Sequence, residues 1–201
     1  MADRTEGQRV LLWVDGVGGY LVCTGSTVTL GQASPEGSAD IGLMADVSRT
    51  HVRLTRQDDL YVLTPLGPTW LQQQRVRSDT LLGDGDLVQL GASVRFRFRQ
   101  PHPLSSSARI EMLSPHRPEP AADGCLLMSH SLVLGPNPTS HIVCKDWESE
   151  VVLFLTPGGT WNCRSTTPMV VDSQPTGSPT PIQFQSRICG TDFCFSLEPL
   201  G

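Results

Sequence analysis

The stretch Val94-Arg-Phe-Arg-Phe98 alternates apolar and charged side chains, with Val94, Phe96 and Phe98 on one face and two arginines on the other. Because successive side chains of a β-strand point to opposite faces, this period of two predicts a half-buried antiparallel strand. Similar short runs precede it, separated by turns that contain Asp, Gly or Pro. They cover residues 10–14, 20–23, 27–30, 52–54, 60–63, 80–82 and 87–90. The sequence therefore predicts an all-β protein built as an antiparallel β-sandwich.

The composition divides the chain into three parts. Residues 101–124 are rich in Pro and Ser, which predicts a linker with one short strand. Residues 1–100 are predicted to form one β-sandwich, and β-prone runs resume in residues 125–201, for which we predict a second. A chain of 201 residues is long enough for two such domains in tandem.

The two halves share fragments in the same order, which indicates an internal duplication. Val28-Thr-Leu-Gly31 matches Leu132-Val-Leu-Gly135, His51-Val-Arg-Leu54 matches His141-Ile-Val-Cys144, and the segment 91–98 matches the segment 190–197. The alternative is that any two β-rich halves share fragments of this kind.

Charge and hydropathy exclude several partners. The net charge is −5, and the basic residues are scattered rather than clustered, so we expect no nucleic-acid surface. The apolar runs are too short to span a bilayer, and no signal peptide is recognisable. We expect a cytoplasmic protein without a membrane partner.

The sequence also predicts no metal, no cofactor and no enzymatic activity. Without a secretory signal, the six cysteines are expected to be reduced thiols. The nearest pair, Cys189 and Cys194, lacks a matching pair for zinc, and the turn Asp84-Gly-Asp86 supplies too few oxygens for calcium. No nucleophile, acid and base stand together in a recognisable motif.

One ordered set of turn motifs is the strongest local signal. Leu30-Gly31 is followed by Asp46-Val-Ser-Arg-Thr-His51, then by Leu82-Gly-Asp-Gly-Asp86, and finally by Leu90-Gly91. Over residues 8–98 this order closely resembles the forkhead-associated (FHA) signature. In that family a Gly-Arg pair, a Ser-x-x-His motif and an Asn-Gly turn lie on loops at one end of a β-sandwich. The resemblance implies a non-enzymatic protein-interaction module that binds phosphothreonine peptides in Ser/Thr kinase signalling.

The residues of the Ser-x-x-His motif suit anion binding on physical grounds. Ser48 offers a hydroxyl donor, and Arg49 offers a planar fork of N–H groups that matches phosphate oxygens. The alternatives are that Ser48 bonds its own backbone and that Arg49 is a solvated charge. The resemblance implies that both contact phosphate and that Thr69 and Gln32 assist.

The resemblance assigns structural roles to three further residues. It implies that the His51 imidazole ties neighbouring loops through hydrogen bonds, and that Gly31 and Gly91 hold the turns.

The sequence departs from the family at the pocket. Gln32 replaces the phosphate-binding arginine, Gly67-Pro68 stands where Asn-Gly would fall, and Gln72-Gln73 replaces a second Asn-Gly. Losing one arginine weakens phosphate binding roughly tenfold or more. Arg53 and Arg56 are candidates for replacement charge. The second hypothesis is a structural or assembly module that kept the fold and lost phosphopeptide binding.

The second half keeps less of the signature. Ser140-His141 is interpreted as the remainder of the serine-histidine motif, and Pro136 follows Gly135 where arginine is expected. We predict a degenerate FHA-like sandwich without a phosphopeptide pocket. Its large aromatic residues either anchor it to the first half or to another chain, or fill its own core. These residues are Trp147, Phe154 and Trp161.

Overall fold

The computed structural model describes residues 7–34, 39–102 and 104–200, which form strands, turns and loops and no helix. The strands are β1 (Arg9–Val14), β2 (Gly18–Cys23), β3 (Thr27–Gln32), β4 (Ile41–Leu43), β5 (Val52–Gln57), β6 (Leu60–Pro65), β7 (Thr69–Leu71), β8 (Gln74–Val76), β9 (Thr80–Leu82), β10 (Leu87–Leu90), β11 (Val94–Arg99), β12 (Ala108–Met112), β13 (Pro118–Glu119), β14 (Gly124–Leu127), β15 (Ser131–Gly135), β16 (Ile142–Val143), β17 (Val151–Leu155), β18 (Trp161–Ser165), β19 (Met169–Val171), β20 (Gln174–Thr176), β21 (Thr180–Pro181), β22 (Arg187–Cys189) and β23 (Cys194–Pro199).

These strands form one large sheet and two small ones. The large sheet has the order β20-β19-β22-β23-β1-β2-β14-β12-β11-β10-β7-β8. One small sheet has the order β13-β4-β3-β5-β6-β9, and the other has the order β16-β15-β17-β18-β21. The predicted all-β sandwich architecture is confirmed.

Three neighbouring strands of the large sheet, β1, β2 and β14, are buried on both faces. Leu11, Leu21, Cys125 and Leu127 belong to a first core, which includes the apolar residues of β3–β11. The alternate residues Val10, Leu12, Val14, Val22 and Leu126 belong to a second core, with the apolar residues of β15–β23. Burial on both faces explains why these strands are continuous apolar runs without a period of two.

Strand pairing crosses both of the predicted domain boundaries. β1 pairs with β23 along five residue pairs, from Val10 opposite Pro199 to Val14 opposite Phe195. β12, inside the predicted linker, pairs with β11 on one side and β14 on the other. The division at residues 100 and 125 stays a prediction, and in this structure the chain between those residues contributes β12 to the large sheet and β13 to a small one.

The linker serines connect elements rather than acting as a spacer. The Ser107 hydroxyl donates to the Ser131 carbonyl oxygen at 2.7 Å and accepts from the Ser129 N–H at 2.9 Å. The Ser106 hydroxyl contacts the Asp59 carboxylate. These contacts join the segment to both small sheets.

The strand pattern of β3–β11 recurs in β15–β23. β3 pairs in parallel with β4 and antiparallel with β5, and β15 pairs in the same way with β16 and β17. Two-residue hairpin turns with positive φ occur at Gln72-Gln73 (49° and 68°) and at Asp172-Ser173 (49° and 68°). This is the backbone geometry of a type I′ turn. That the second set is a degenerate relative of the first stays a prediction.

One anchor of the predicted duplication is wrong. Leu30 lies opposite Val52 and Leu134 lies opposite Val151, so the position equivalent to His51 is Glu150. His141 instead precedes β16, where the first set has Asp40 before β4. The pattern of a histidine followed by an apolar strand is too short to distinguish the loop before β5 from the segment before β4.

The cysteines differ from the expected six thiols. Cys189 and Cys194 lie opposite each other in the β22–β23 hairpin and form a disulfide. Cys23, Cys125, Cys144 and Cys163 are free and buried. Burial raises the pKa of Cys125 to about 12, so this thiol is protonated at neutral pH. The two paired cysteines are only five residues apart in the sequence, and the hairpin register places them opposite each other.

The large aromatic residues of the second half mainly fill its own core. Trp147 and Trp161 are buried in the second core, where the Trp147 ring packs 5.4 Å from the Phe193 ring. Phe154 is half-buried on β17.

We expect the fragment 1–100 not to fold as a stable unit. Without β14 and β23, the side chains of Val10, Leu12 and Val22 lose the second core and face water, at a cost of about 1.5 to 3 kcal/mol each. Thermal unfolding followed by circular dichroism should show one cooperative transition for the full chain and none for the fragment. Native-like unfolding of the fragment would contradict the shared sheet.

Candidate functional site

Four connections meet at one end of the first core. They are the end of β3 at Gln32, residues 44–51 between β4 and β5, residues 66–68 between β6 and β7, and residues 91–93 between β10 and β11. The segment that contains Ser48 and His51 is a loop, as the sequence predicts.

The buried imidazole of His51 joins two of these connections. Its Nδ1 accepts a hydrogen bond from the Ser48 N–H at 3.1 Å, and its Nε2 lies 2.9 Å from the Pro68 carbonyl oxygen. Because a backbone N–H can only donate, Nδ1 carries no proton, and Nε2 is the protonated nitrogen that donates to Pro68. Both ring nitrogens are therefore engaged in holding the loops.

Backbone hydrogen bonds complete the cross-links. The His51 carbonyl oxygen accepts from Leu66 N–H at 3.0 Å and Gly67 N–H at 2.8 Å. Gln32 N–H donates to the Ser48 carbonyl oxygen at 2.9 Å, and Gly91 N–H donates to the Pro68 carbonyl oxygen at 2.9 Å. All four connections thus belong to one hydrogen-bonded unit.

Glycine is required where backbones approach closely. A Cβ atom at Gly31 would lie 1.9 Å from the Arg49 carbonyl oxygen, and one at Gly67 would lie 2.7 Å from the His51 ring. Gly91 has a φ of 57°, in the region that favours glycine.

Three of the predicted contact residues are exposed on this unit, and one is not. The side chains of Gln32, Ser48 and Arg49 reach solvent. Thr69 is completely buried, and its hydroxyl donates to the Gly67 carbonyl oxygen at 3.0 Å. This position contradicts the prediction that Thr69 assists a ligand. A buried hydroxyl that donates to an internal acceptor holds the turn instead.

Comparison with known proteins identifies this part of the chain. The family model described as FHA domain matches residues 28–91, from β3 to the turn after β10, which includes the loops joined by His51. Residues 28–91 are an FHA domain. FHA domains are protein-interaction modules, and this match supports the expectation of a protein-interaction module in this part of the chain.

Solved structures with FHA domains also align with this chain. EmbR of Mycobacterium tuberculosis, in complex with a low-affinity phosphopeptide, is 26% identical with a TM-score of 0.34, and the alignment covers 46% of this chain and 24% of that chain. The FHA domain of CT664 from Chlamydia trachomatis is 24% identical with a TM-score of 0.32, covering 41% and 89%. The N-terminal FHA domain of EssC, from the bacterial type VII secretion apparatus, is 9% identical with a TM-score of 0.27, covering 94% and 92%. This chain thus spans about a quarter of the EmbR chain, and no curated protein matches it.

Of the two arginines proposed as replacement charge, Arg56 is engaged elsewhere. Its guanidinium donates to the Met128 carbonyl oxygen at 3.2 Å and is half-buried. Arg53 is exposed near the start of β5, two residues after His51, and is paired with Thr29 and Thr64. Arg56 therefore gives no charge to the connections around Ser48.

Sequence reasoning missed two other arginines, Arg75 and Arg77. They line an open groove of about 560 Å³ together with residues 65–68, the turn that His51 holds in place. The available signal was the Gln72-Gln73 turn, because a two-residue hairpin returns β8 alongside β7 and brings residue 77 back towards Pro68.

A carboxylate takes over the loop connections in the second strand set. Asp192, in the β22–β23 turn, accepts hydrogen bonds from the Glu148 N–H, from the Ser149 N–H at 2.8 Å and from the Ser149 hydroxyl at 2.7 Å. Ser149 also lies 3.1 Å from the Thr167 hydroxyl. The loop equivalent to Ser48–His51 is therefore occupied by the protein's own anion.

The interpretation of Ser140-His141 as a remnant of the motif is wrong. His141 is buried, its Nδ1 accepts from the Val133 N–H at 2.9 Å, and its Nε2 lies 3.1 Å from the Ser105 hydroxyl. Burial lowers the pKa of His141 to about 4, so it is neutral at physiological pH. It holds the segment after β11 against β15.

The described residues contain neither a cluster of metal ligands nor a membrane-spanning helix. In residues 7–34, 39–102 and 104–200, no group of three or more His, Cys, Asp or Glu side chains is arranged to hold a metal ion. The same ranges contain no helix long and apolar enough to cross a membrane.

Replacing Gly31 with alanine should disrupt the FHA loops. The added Cβ overlaps the Arg49 carbonyl oxygen, so backbone must move, and we expect a loss of at least about 2 kcal/mol in the free energy of unfolding. Denaturant titration measures this loss. Gly158→Ala is the control, since nothing lies within 4 Å of its Cβ position, and it should change stability by less than about 0.5 kcal/mol. Equal effects of the two variants would contradict the close approach.

Replacing Asp192 with asparagine should destabilise the second strand set by about 1 kcal/mol at neutral pH, through lost charge-assisted hydrogen bonds at a partly exposed site. Burial alone would raise the pKa of Asp192, but hydrogen bonds from Ser149 and Glu148 outweigh it and lower this pKa below 3.8. A carboxyl with a lowered pKa stabilises the folded state above its unfolded pKa and loses that effect as pH falls.

The difference between wild type and Asp192→Asn should therefore shrink when denaturation is measured below about pH 4. Asp146→Asn, an exposed carboxylate two residues before Glu148, is the control and should change little at either pH. A difference that is constant with pH would argue against the carboxylate as the cause.

Proposed function

We propose that the FHA domain binds phosphothreonine-containing segments of partner proteins in Ser/Thr kinase signalling, with weakened phosphate recognition. The observation that carries this proposal is the His51-centred unit, which holds the exposed side chains of Ser48, Arg49 and Gln32 at one end of the sandwich.

Each of these side chains has a role that its chemistry allows. The Ser48 hydroxyl donates to a phosphate oxygen, and the Arg49 guanidinium supplies the positive charge and a second donor. Gln32 donates one amide hydrogen bond without charge, which makes this contact weaker than a charge-assisted one by about 1 kcal/mol. Both ring nitrogens of His51 hold loops, so this imidazole has no free nitrogen for a ligand.

A second candidate function is a structural or assembly module that no longer binds phosphate. It is favoured by the turn at residues 67–68. The Gly67 N–H already donates to His51, Pro68 has no N–H, and neither residue has a polar side chain. This turn thus offers a ligand no donor at all.

Titration with a degenerate phosphothreonine peptide library, followed by fluorescence anisotropy, tests the proposal. We expect phosphate-dependent binding by the wild type, loss of that binding in Ser48→Ala/Arg49→Ala, and roughly tenfold tighter binding by Gln32→Arg, because a charge-assisted contact is restored. Arg164→Gln, on β18 of the second strand set, is the control for a charge lost elsewhere, and it should bind like the wild type.

The outcomes separate the two candidates. If neither the wild type nor Gln32→Arg distinguishes phosphorylated from unphosphorylated peptide, the phosphate-binding proposal fails and the assembly module stands.

A further inference from the structure

The groove beside the β7–β8 hairpin has the features of a binding surface for an anion. It is lined by residues 65–68 and 75–77, encloses about 560 Å³, and is open to solvent. Arg75 and Arg77 are both exposed and both line it. Because they are two residues apart on one edge of the sheet, their side chains point to the same face.

The position of Arg75 is fixed by its neighbour across the hairpin. Arg75 lies directly opposite Trp70, and its guanidinium carbon is 5.8 Å from the centre of the indole ring. This cation–π contact restricts the side chain before a ligand arrives. An arginine held in this way loses less conformational freedom on binding than a mobile one.

The floor of the groove is rigid and contains no carboxylate. Its turn is tied to His51 through Leu66 N–H, Gly67 N–H and the Pro68 carbonyl oxygen. No acidic residue lines the groove, and among the described residues neither Arg75 nor Arg77 forms an ion pair.

The cationic surface continues across the sheet. Trp70 pairs with Gln89, and Gln89 pairs with Arg95, so the exposed Arg95 lies on the same face as Arg75. Arg95 lies outside the groove and adds positive charge to this face, while the groove itself is lined by Arg75 and Arg77 with apolar contributions from Leu66 and Val76.

We propose that this groove binds an acidic, unphosphorylated segment of a partner protein, whose Asp and Glu side chains pair with Arg75 and Arg77. Carboxylates accept paired N–H groups of arginine, and the open shape suits an extended chain. The protein's net charge of −5 disfavours a long polyanion such as nucleic acid, whereas a short acidic segment needs only the local charge. This surface goes beyond the proposed function and does not depend on Ser48 or Arg49.

The test uses the full chain and a labelled peptide rich in Asp and Glu that contains no Ser, Thr or Tyr. By fluorescence anisotropy we expect binding by the wild type, and at least about tenfold weaker binding by Arg75→Gln/Arg77→Gln, because two charge-assisted contacts are lost. Ser48→Ala/Arg49→Ala should bind this peptide unchanged. Failure of the phosphate-binding proposal thus leaves this result intact, and the two are distinguishable.

The matched control is Lys145→Gln/Arg164→Gln, which removes two exposed basic residues of the second strand set and changes the net charge equally. It should bind like the wild type. Arg77→Gln alone should also weaken binding, and it leaves the Arg75–Trp70 contact in place if the double variant proves unstable.

Three results would overturn the proposal. They are no binding by the wild type, an equal loss in the control variant, and a single-stranded oligonucleotide of the same charge that competes for the groove as well as the peptide does.

Discussion

The burial of β1, β2 and β14 on both faces is the constraint on which the rest of the structure depends. Leu11 and Leu21 point into the first core, while Val10, Leu12 and Val22 point into the second. Since β1 also pairs with β23, residues near the two ends of the chain meet inside one open sheet. The two strand sets are therefore two packings against a common layer, and neither set has a complete core without that layer.

The loops at the ends of the two strand sets are held together by two different kinds of side chain. In the FHA domain a neutral imidazole, His51, accepts from one loop and donates to another turn. In the second set a carboxylate from the β22–β23 turn, Asp192, accepts from the N–H groups of Glu148 and Ser149. The side chains of Ser48 and Arg49 are exposed on the loop that the imidazole holds, whereas in the second set the carboxylate itself lies against the equivalent loop.

Local patterns predict strands and loops well, but they do not determine long-range pairing. The alternation in β11 and the ordered turn motifs identified the sandwich and the loop around Ser48, because both depend on neighbouring residues. The pairing of β1 with β23 joins residues near opposite ends of the chain. A continuous apolar run predicts a buried strand, but it does not predict which strand will be its neighbour. For the same reason the fragment around His141 was placed in the wrong connection. The Cys189–Cys194 pair is local, and it was missed because the absence of a secretory signal favoured reduced thiols.

The candidate site could be predicted only as far as its residue types. That Thr69 is buried follows from its pairing with Leu90 in the sheet, which no local motif shows. Two backbone donors of this site are already engaged, since the Ser48 N–H bonds to His51 Nδ1 and the Gly67 N–H bonds to the His51 carbonyl oxygen. Because Pro68 has no N–H, the turn at residues 67–68 has no free backbone donor. Positive charge at this end of the domain is therefore carried by exposed side chains, Arg49 in the β4–β5 loop and Arg75 and Arg77 beside residues 65–68.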